Sequence, residues 1–355
     1  MIFRNLLLLF AFVSTNFAAE NAPNIYSRLD RTNLLLFHNT KGEVVQGKTK
    51  RDWEKRRAEI LSSMQEVMGK LPGKEKRCPL NVEIVEEVDC VSYVRRLINY
   101  SSEPNSRVPA YLLIPKSALE KKTKVRAVLC LHPTDSQGNK TVVGLTAKEN
   151  RGYAAELAER GFVTLAPAYP HLANYAPDLI SLGYESGTMK AIWDNIRGID
   201  LLESLPFVKR GCVAAIGHSL GGHNAIYTAV FDERIKVVVS SCGFDSYLDY
   251  MNGDIKGWTS IRYMPKLLDY PLEKIPFDFH EMIAALSPRP VFVNAPVGDT
   301  NFKWRSVDTI IATAQPIYKL HGAECNLRVV HPECAHDFPN EIREAAYKFI
   351  DKKLK

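Results

Sequence analysis

The sequence predicts an α/β fold: a doubly wound, mostly parallel sheet with an antiparallel start. Three observations lead there. From about residue 125 onward, short apolar runs of strand length alternate with longer segments of helical periodicity, the rhythm of βαβ units. Before that point, strand-like runs follow one another with no helix between them. Finally, the glycine-rich turn Gly217-His218-Ser219-Leu220-Gly221-Gly222 joins the apolar run Val213–Ile216 to the helix-like run Ala225–Phe231.

The elements follow in chain order. Residues 1–19 read as a secretory signal: one positive charge at Arg4, an apolar stretch Leu6–Val13, and small residues at Ala18 and Ala19. An uncleaved anchor is the alternative, and the absence of cysteine there argues against lipidation. Residues 20–50 are mixed and polar and are expected to form an extended arm. Residues 51–70 carry Trp53, Ile60, Leu61, Met64 and Met68 at helical spacing, and Leu71-Pro72-Gly73 ends that helix. Strand-like runs at 82–88, 92–98 and 108–114 supply the antiparallel start. The expected organisation is a signal at 1–19, an arm, helix and first strands at 20–105, and a larger domain at 106–355.

Within that domain the strand-like runs are Ala127–Leu131, Phe162–Ala166, Val213–Ile216, Val237–Ser240, Val291–Asn294 and Leu327–Val330. Helical periodicity marks Gly152–Arg160, Thr188–Leu205, Trp304–Leu320 and Asn340–Leu354. In Thr188–Leu205, Ile192, Ile196, Ile199 and Leu202 make one apolar stripe. The stretch 244–281 breaks the rhythm. It is aromatic and turn-rich, with Tyr247, Tyr250, Trp258, Tyr263 and Phe279, and is expected to form a cap-like insertion walling a pocket.

Composition narrows the function classes. A net charge of +6 is spread along the chain without a basic stripe or interleaved aromatics, which argues against a nucleic-acid face. Seven cysteines show no Cys-x-x-Cys or His/Cys cluster, so no metal and no cofactor is expected. Cys130, Cys212 and Cys242 lie in or beside apolar runs and are expected to be buried and free, whereas Cys78 and Cys90 flank one strand-like segment and Cys325 and Cys334 another, which makes each pair a candidate disulfide. Asn99 and Asn139 stand in glycosylation sequons.

The turn around Ser219 carries the chemistry. Strand, Gly-x-Ser-x-Gly and helix in succession form a nucleophile elbow, which pushes the serine out of a tight turn at the N-terminus of a helix. Glycines at 217 and 221 are needed because side chains there would collide with the neighbouring strand and helix. A serine is a weak nucleophile and needs a base and an orienting carboxylate. In this chain order the acid follows a later strand and the histidine comes last. Asp299 follows the run Val291–Asn294, and His336 lies in the loop before the last helix. The rivals are His331 for the base and Asp245 for the acid, with Asp337 and Glu333 less well placed. His218 and His223 flank the nucleophile and are expected to shape the elbow or the pocket wall. The oxyanion donors are expected to be the amides of Leu220 and of Thr134, the latter because Pro133 has no N–H.

Taken together, Leu131-His132-Pro133-Thr134, residues 153–170, residues 193–205, Gly217–Gly222, Gly298-Asp299 and Ala335–Phe338 resemble the α/β-hydrolase superfamily, in particular bacterial dienelactone-hydrolase-like and acetyl-xylan-esterase-like hydrolases. The likeness spans residues 125–354. It departs from dienelactone hydrolases in having Ser219 where they have cysteine, and His132-Pro133 where His-Gly is common. The resemblance implies a serine carboxylic-ester hydrolase using Ser219, His336 and Asp299, exported, and acting on a small-molecule or glycan ester such as an acetylated carbohydrate. Trp258, Tyr263 and His218 are candidate substrate contacts. A prolyl-oligopeptidase-type peptidase shares the triad order, but the N-terminal 100 or so residues cannot build a propeller. A non-catalytic binding module on the same scaffold is the third reading.

Overall fold

The computed structural model describes residues 28–120 and 124–355. The expected signal at 1–19 lies outside the described residues.

Where an extended arm was expected, the chain forms a small antiparallel hairpin of β1 (Leu36–His38) and β2 (Val44–Gln46). Its turn is closed by a side chain rather than by apolar pairing: Asn39 Oδ1 accepts from the N–H groups of Lys41 and Glu43. Helix α1 (Lys50–Met68) starts in a capping box between Thr49 and Asp52 and buries Trp53, Ile60, Met64 and Met68, the expected face.

The main sheet has nine strands. Its antiparallel part is β3 (Glu83–Asp89), β4 (Tyr93–Glu103) and β5 (Ser106–Pro115). A short helix α2 (Lys116–Glu120) leads to β6 (Val125–Leu131), α3 (Tyr153–Glu159), β7 (Val163–Pro167) and α4 (Gly187–Ser204). Then come β8 (Val208–His218), α5 (Leu220–Phe231), β9 (Ile235–Ser241), α6 (Phe279–Ala285), β10 (Val291–Asn294), α7 (Trp304–Leu320), β11 (Leu327–Val330) and α8 (Asn340–Lys353). The spatial order is β11-β10-β9-β8-β6-β7-β5-β4-β3, parallel from β11 through β7 and antiparallel beyond.

Both faces of the parallel part are buried, which is why its strands read as continuous apolar runs. Along β8, Val213 and Ala215 enter one core, and Ala214 and Ile216 the other. The chain order reverses beside β8 and β6, and ligands of such sheets bind beyond the carboxyl ends of the strands at that point.

The stretch 244–281 contains four 3-10 turns and the start of α6. It is not a detached flap. Trp258, Met264, Leu267, Ile275, Phe277 and Phe279 are buried in the main core. All seven cysteines are free thiols, so neither spaced pair is bridged, and Cys130, Cys212 and Cys242 are buried as expected. The sequon residue Asn139 is buried and its amide donates to Ala166 O (2.8 Å), which removes it from modification. Among the described residues no helix is long and apolar enough to cross a membrane.

Candidate active site

Backbone sterics build the turn at Ser219. A Cβ on Gly217 would lie 2.1 Å from Gly221 C, and one on Gly221 would lie 1.9 Å from Leu131 O. Only glycine fits at either place. Ser219 itself has φ 55° and ψ −123°, a left-handed conformation that costs about 1–3 kcal/mol in a non-glycine residue. Its N–H donates to Ser241 O at 2.8 Å, which ties the elbow to the end of β9. Leu220 opens α5, where first-turn amides have no acceptor within the helix and the helix dipole favours negative charge.

The loops after β10 and β11 meet beside this serine. Val297 N–H donates to Pro332 O (3.1 Å), and Gly298 N–H to Cys334 O (3.0 Å). A Cβ on Gly298 would sit 2.8 Å from that same carbonyl oxygen. This approach brings Asp299 to His336: Nδ1 of the histidine lies 2.9 Å from Oδ2 and 3.0 Å from Oδ1. Asp299 is nearly sealed, with 1% of its side chain exposed against 21% for His336. Its Oδ1 also accepts from the N–H groups of Asn301 (2.8 Å) and Phe302 (3.2 Å), so the carboxylate is aimed before any substrate arrives.

The rivals have other occupations. His331 is committed at both ring nitrogens, to Ala295 O and to Asp308 Oδ1, each at 2.8 Å. Asp245 accepts from Lys303 N–H (3.0 Å), and burial pushes its carboxyl up to about 8. Asp337 was a less well placed rival for the acid. It is half-buried, against the Arg151 guanidinium and the Asn150 amide. Burial works against its charge, but the Arg151 bond holds the carboxyl below its usual range. Glu333 is exposed.

A cavity of about 450 Å³ opens at Ser219. Its lining includes His336, Leu220, Thr134, His218, Trp258 and Tyr263, so every residue expected in the site borders it except Asp299, which stands behind His336. It also includes Tyr250, one of the aromatics noted in 244–281, and residues the sequence did not single out: Phe302, Asn301, Lys148 and Arg151. Asn301 and Phe302 were within reach of sequence reasoning, since they lie two and three residues after Asp299. Lys148 and Arg151 come from the far end of the β6–α3 connection, well after the His132-Pro133-Thr134 stretch that the sequence singled out.

The loop bearing Thr134 is pinned by His132. That ring donates from Nδ1 to Pro133 O (2.8 Å) and accepts at Nε2 from Tyr169 N–H (2.9 Å). Burial pushes its pKa down to about 4, so the pin stays neutral. Thr134 Oγ1 meets the Tyr263 hydroxyl at 3.0 Å, which joins this loop to the stretch 244–281. Trp258, 5% exposed, stacks on the buried His223 ring at 4.5 Å, and His223 stacks in turn on Tyr227 at 4.2 Å. The aromatic wall is therefore supported from α5 by His223, which stands behind Trp258 and does not itself border the cavity. Cys242, Asp299 and His336 each bring one donor atom within 4.8 Å of the others. The His–Asp bonds already use the facing lone pairs, and burial keeps the Cys242 thiol protonated, which makes it a poor metal ligand.

Comparison with known proteins places this geometry. A model described as Abhydrolase family matches residues 34–171. "Putative hydrolase YtaP" of Bacillus subtilis (strain 168) is 24% identical over 310 residues, covering 84% of this chain and 100% of that one. A glucuronoyl esterase from Solibacter usitatus superposes with a TM-score of 0.72 at 19% identity, covering 91% of this chain and 98% of its own. A "putative acetyl xylan esterase" from Bacteroides fragilis NCTC 9343 gives 0.63 at 15% identity, covering 91% and 94%. With this sheet order, this elbow and these structural neighbours, the chain has the α/β-hydrolase fold, and its residues 34–171 are similar to the Abhydrolase family.

Proposed function

We propose that this protein is a serine carboxylic-ester hydrolase that removes short acyl groups, acetyl foremost, from a carbohydrate or related small ester. One observation carries the reading: Ser219 on its strained elbow and His336 held by Asp299 border the same cavity. In this scheme His336 takes the proton of Ser219 as the serine oxygen attacks the ester carbonyl. The Leu220 and Thr134 amides hold the developing oxyanion. The proton on His336 passes to the departing alcohol, and a water activated by the same ring then frees the acid. Asp299 orients the imidazole and stabilises its charged form. No step calls for a cofactor.

The aromatic wall supports a sugar-bearing substrate, because Trp258 and Tyr263 offer flat apolar faces to ring C–H groups. The names of the neighbouring structures, a glucuronoyl esterase and an acetyl xylan esterase, favour the same class. Export directed by residues 1–19 fits a polysaccharide-derived substrate.

The test compares the wild type with Ser219→Ala on a 4-nitrophenyl ester series from acetyl to octanoyl, on acetylated xylo-oligosaccharide and on a glucuronate methyl ester. The expected result is turnover strongest on acetyl, lost in the variant by a factor of roughly 10⁵ or more in kcat. Undiminished activity in Ser219→Ala sinks the mechanism. Preference for the glucuronate ester keeps the mechanism and replaces the substrate.

A further inference from the structure

The catalytic scheme gives His218 no step, and its surroundings specify what it can do as a substrate contact. The ring is 1% exposed yet borders the cavity, and its centroid stands 4.8 Å from that of His336. Nδ1 lies 3.0 Å from Ser241 Oγ, at the end of β9. Either atom of that pair has a hydrogen to offer, and Asn294 decides between them. Its Nδ2 donates to Asp337 O at 2.9 Å. A carbonyl only accepts, so the orientation of the amide is fixed. The same amino group donates to Ser241 Oγ at 2.8 Å. With an N–H arriving on its oxygen, Ser241 turns its own hydrogen outward. The acceptors within reach are His218 Nδ1 at 3.0 Å and Cys242 Sγ at 3.8 Å, and sulfur is the weaker. His218 Nδ1 therefore accepts, and the ring proton sits on Nε2.

Burial keeps that ring neutral, helped by the positive charges of Arg151 and Lys148. Nε2 has no protein partner among the described residues and is not one of the sealed, unpaired polar atoms of the interior, so it opens to the cavity. His336 hands its proton to the departing alkoxide, and a ring packed beside it meets the alcohol portion of the substrate.

We infer that His218 is a fixed hydrogen-bond donor, through Nε2–H, to an oxygen of the alcohol portion, and so a specificity residue favouring polyhydroxylic alcohols such as sugars. The inference rests on the ester-hydrolase reading. The chain from Asn294 through Ser241 is its positioning device, reaching the substrate only by way of the ring.

The test uses the full mature chain with an O-acetylated methyl xyloside and 4-nitrophenyl acetate as probes, on wild type, His218→Leu, His218→Gln and Ser241→Ala, each checked for folding by thermal denaturation. A glutamine side-chain amide places its N–H groups about where Nε2–H stood. His218→Leu is expected to raise KM for the sugar ester roughly tenfold, with His218→Gln recovering most of the loss. Ser241→Ala moves the same way by less, because the freed ring takes up the other tautomer. Equal impairment in Leu and Gln, or none in either, overturns the inference. If the Leu variant does not fold, an unchanged sugar KM in Ser241→Ala overturns it instead. Failure of the underlying reading looks different: the wild type then turns over neither ester.

Discussion

His336 Nδ1 lies 2.9 Å from Asp299 Oδ2 although the two residues are 37 apart in sequence. The pair exists because the loops after β10 and β11 are joined by backbone hydrogen bonds, from Val297 to Pro332 and from Gly298 to Cys334. Two further N–H groups, of Asn301 and Phe302, hold the carboxylate from its other side. The imidazole is thereby pointed with its Nε2 edge away from the acid.

Asp299→Asn keeps the side-chain oxygen that accepts those two amides but offers an amino group to Nδ1. The histidine then carries its proton on the wrong nitrogen. We expect kcat to fall about 10⁴-fold, with little change in melting temperature. Steady-state kinetics and a thermal scan of the same preparation check both halves. A large drop in melting temperature would instead make Asp299 chiefly a structural anchor.

Gly221→Ala tests the elbow as a steric device. The new methyl would lie 1.9 Å from Leu131 O, a backbone atom at the end of a central strand that has no room to retreat. Destabilisation of about 3 kcal/mol or more is expected, because the clash cannot relax into a rotamer change. Denaturant titration measures it. A loss under about 1 kcal/mol would mean that the turn is looser than its geometry implies.

Asp245→Asn tests the buried carboxyl that accepts from Lys303 N–H. Burial pushes it up to about 8, whereas in the unfolded chain it ionises near 4. Between about pH 4 and 8 the folded chain holds a proton that the unfolded chain has lost, so stability falls as pH rises through that window and levels off above it. Asparagine keeps the acceptor and has no charge to bury. The variant should match or exceed the wild type in melting temperature, by a margin that grows from pH 5 to pH 8. A margin that is flat across this range would show that the group titrates normally.

Much of this architecture was legible because its causes are local. The strands from Ala127 to Val330 announce themselves as apolar runs, since a sheet covered on both faces demands apolar side chains in both directions. The hairpin at 36–46 did not, because its turn rests on the Asn39 side chain rather than on a hydrophobic pattern. The stretch 244–281 was legible as an irregular, aromatic insertion beside a pocket, but its support was not: Trp258 stacks on His223, from a helix 35 residues earlier.

The site divides along the same line. By itself the sequence determined the elbow, because Gly217, Ser219 and Gly221 meet a steric requirement contained within one turn. It also determined the order in which an acid and a base must follow. Only the tertiary structure decided which carboxylate reaches which imidazole. Asp245 and His331 occupy plausible places in the chain, yet one faces a backbone amide of Lys303 and the other Asp308. The same holds for the proton on His218, which depends on Ser241, Asn294 and Asp337, residues that lie 23 to 119 positions further along the chain. A hydrogen bond has a length and a direction, and sequence spacing carries neither once the partners sit on different strands.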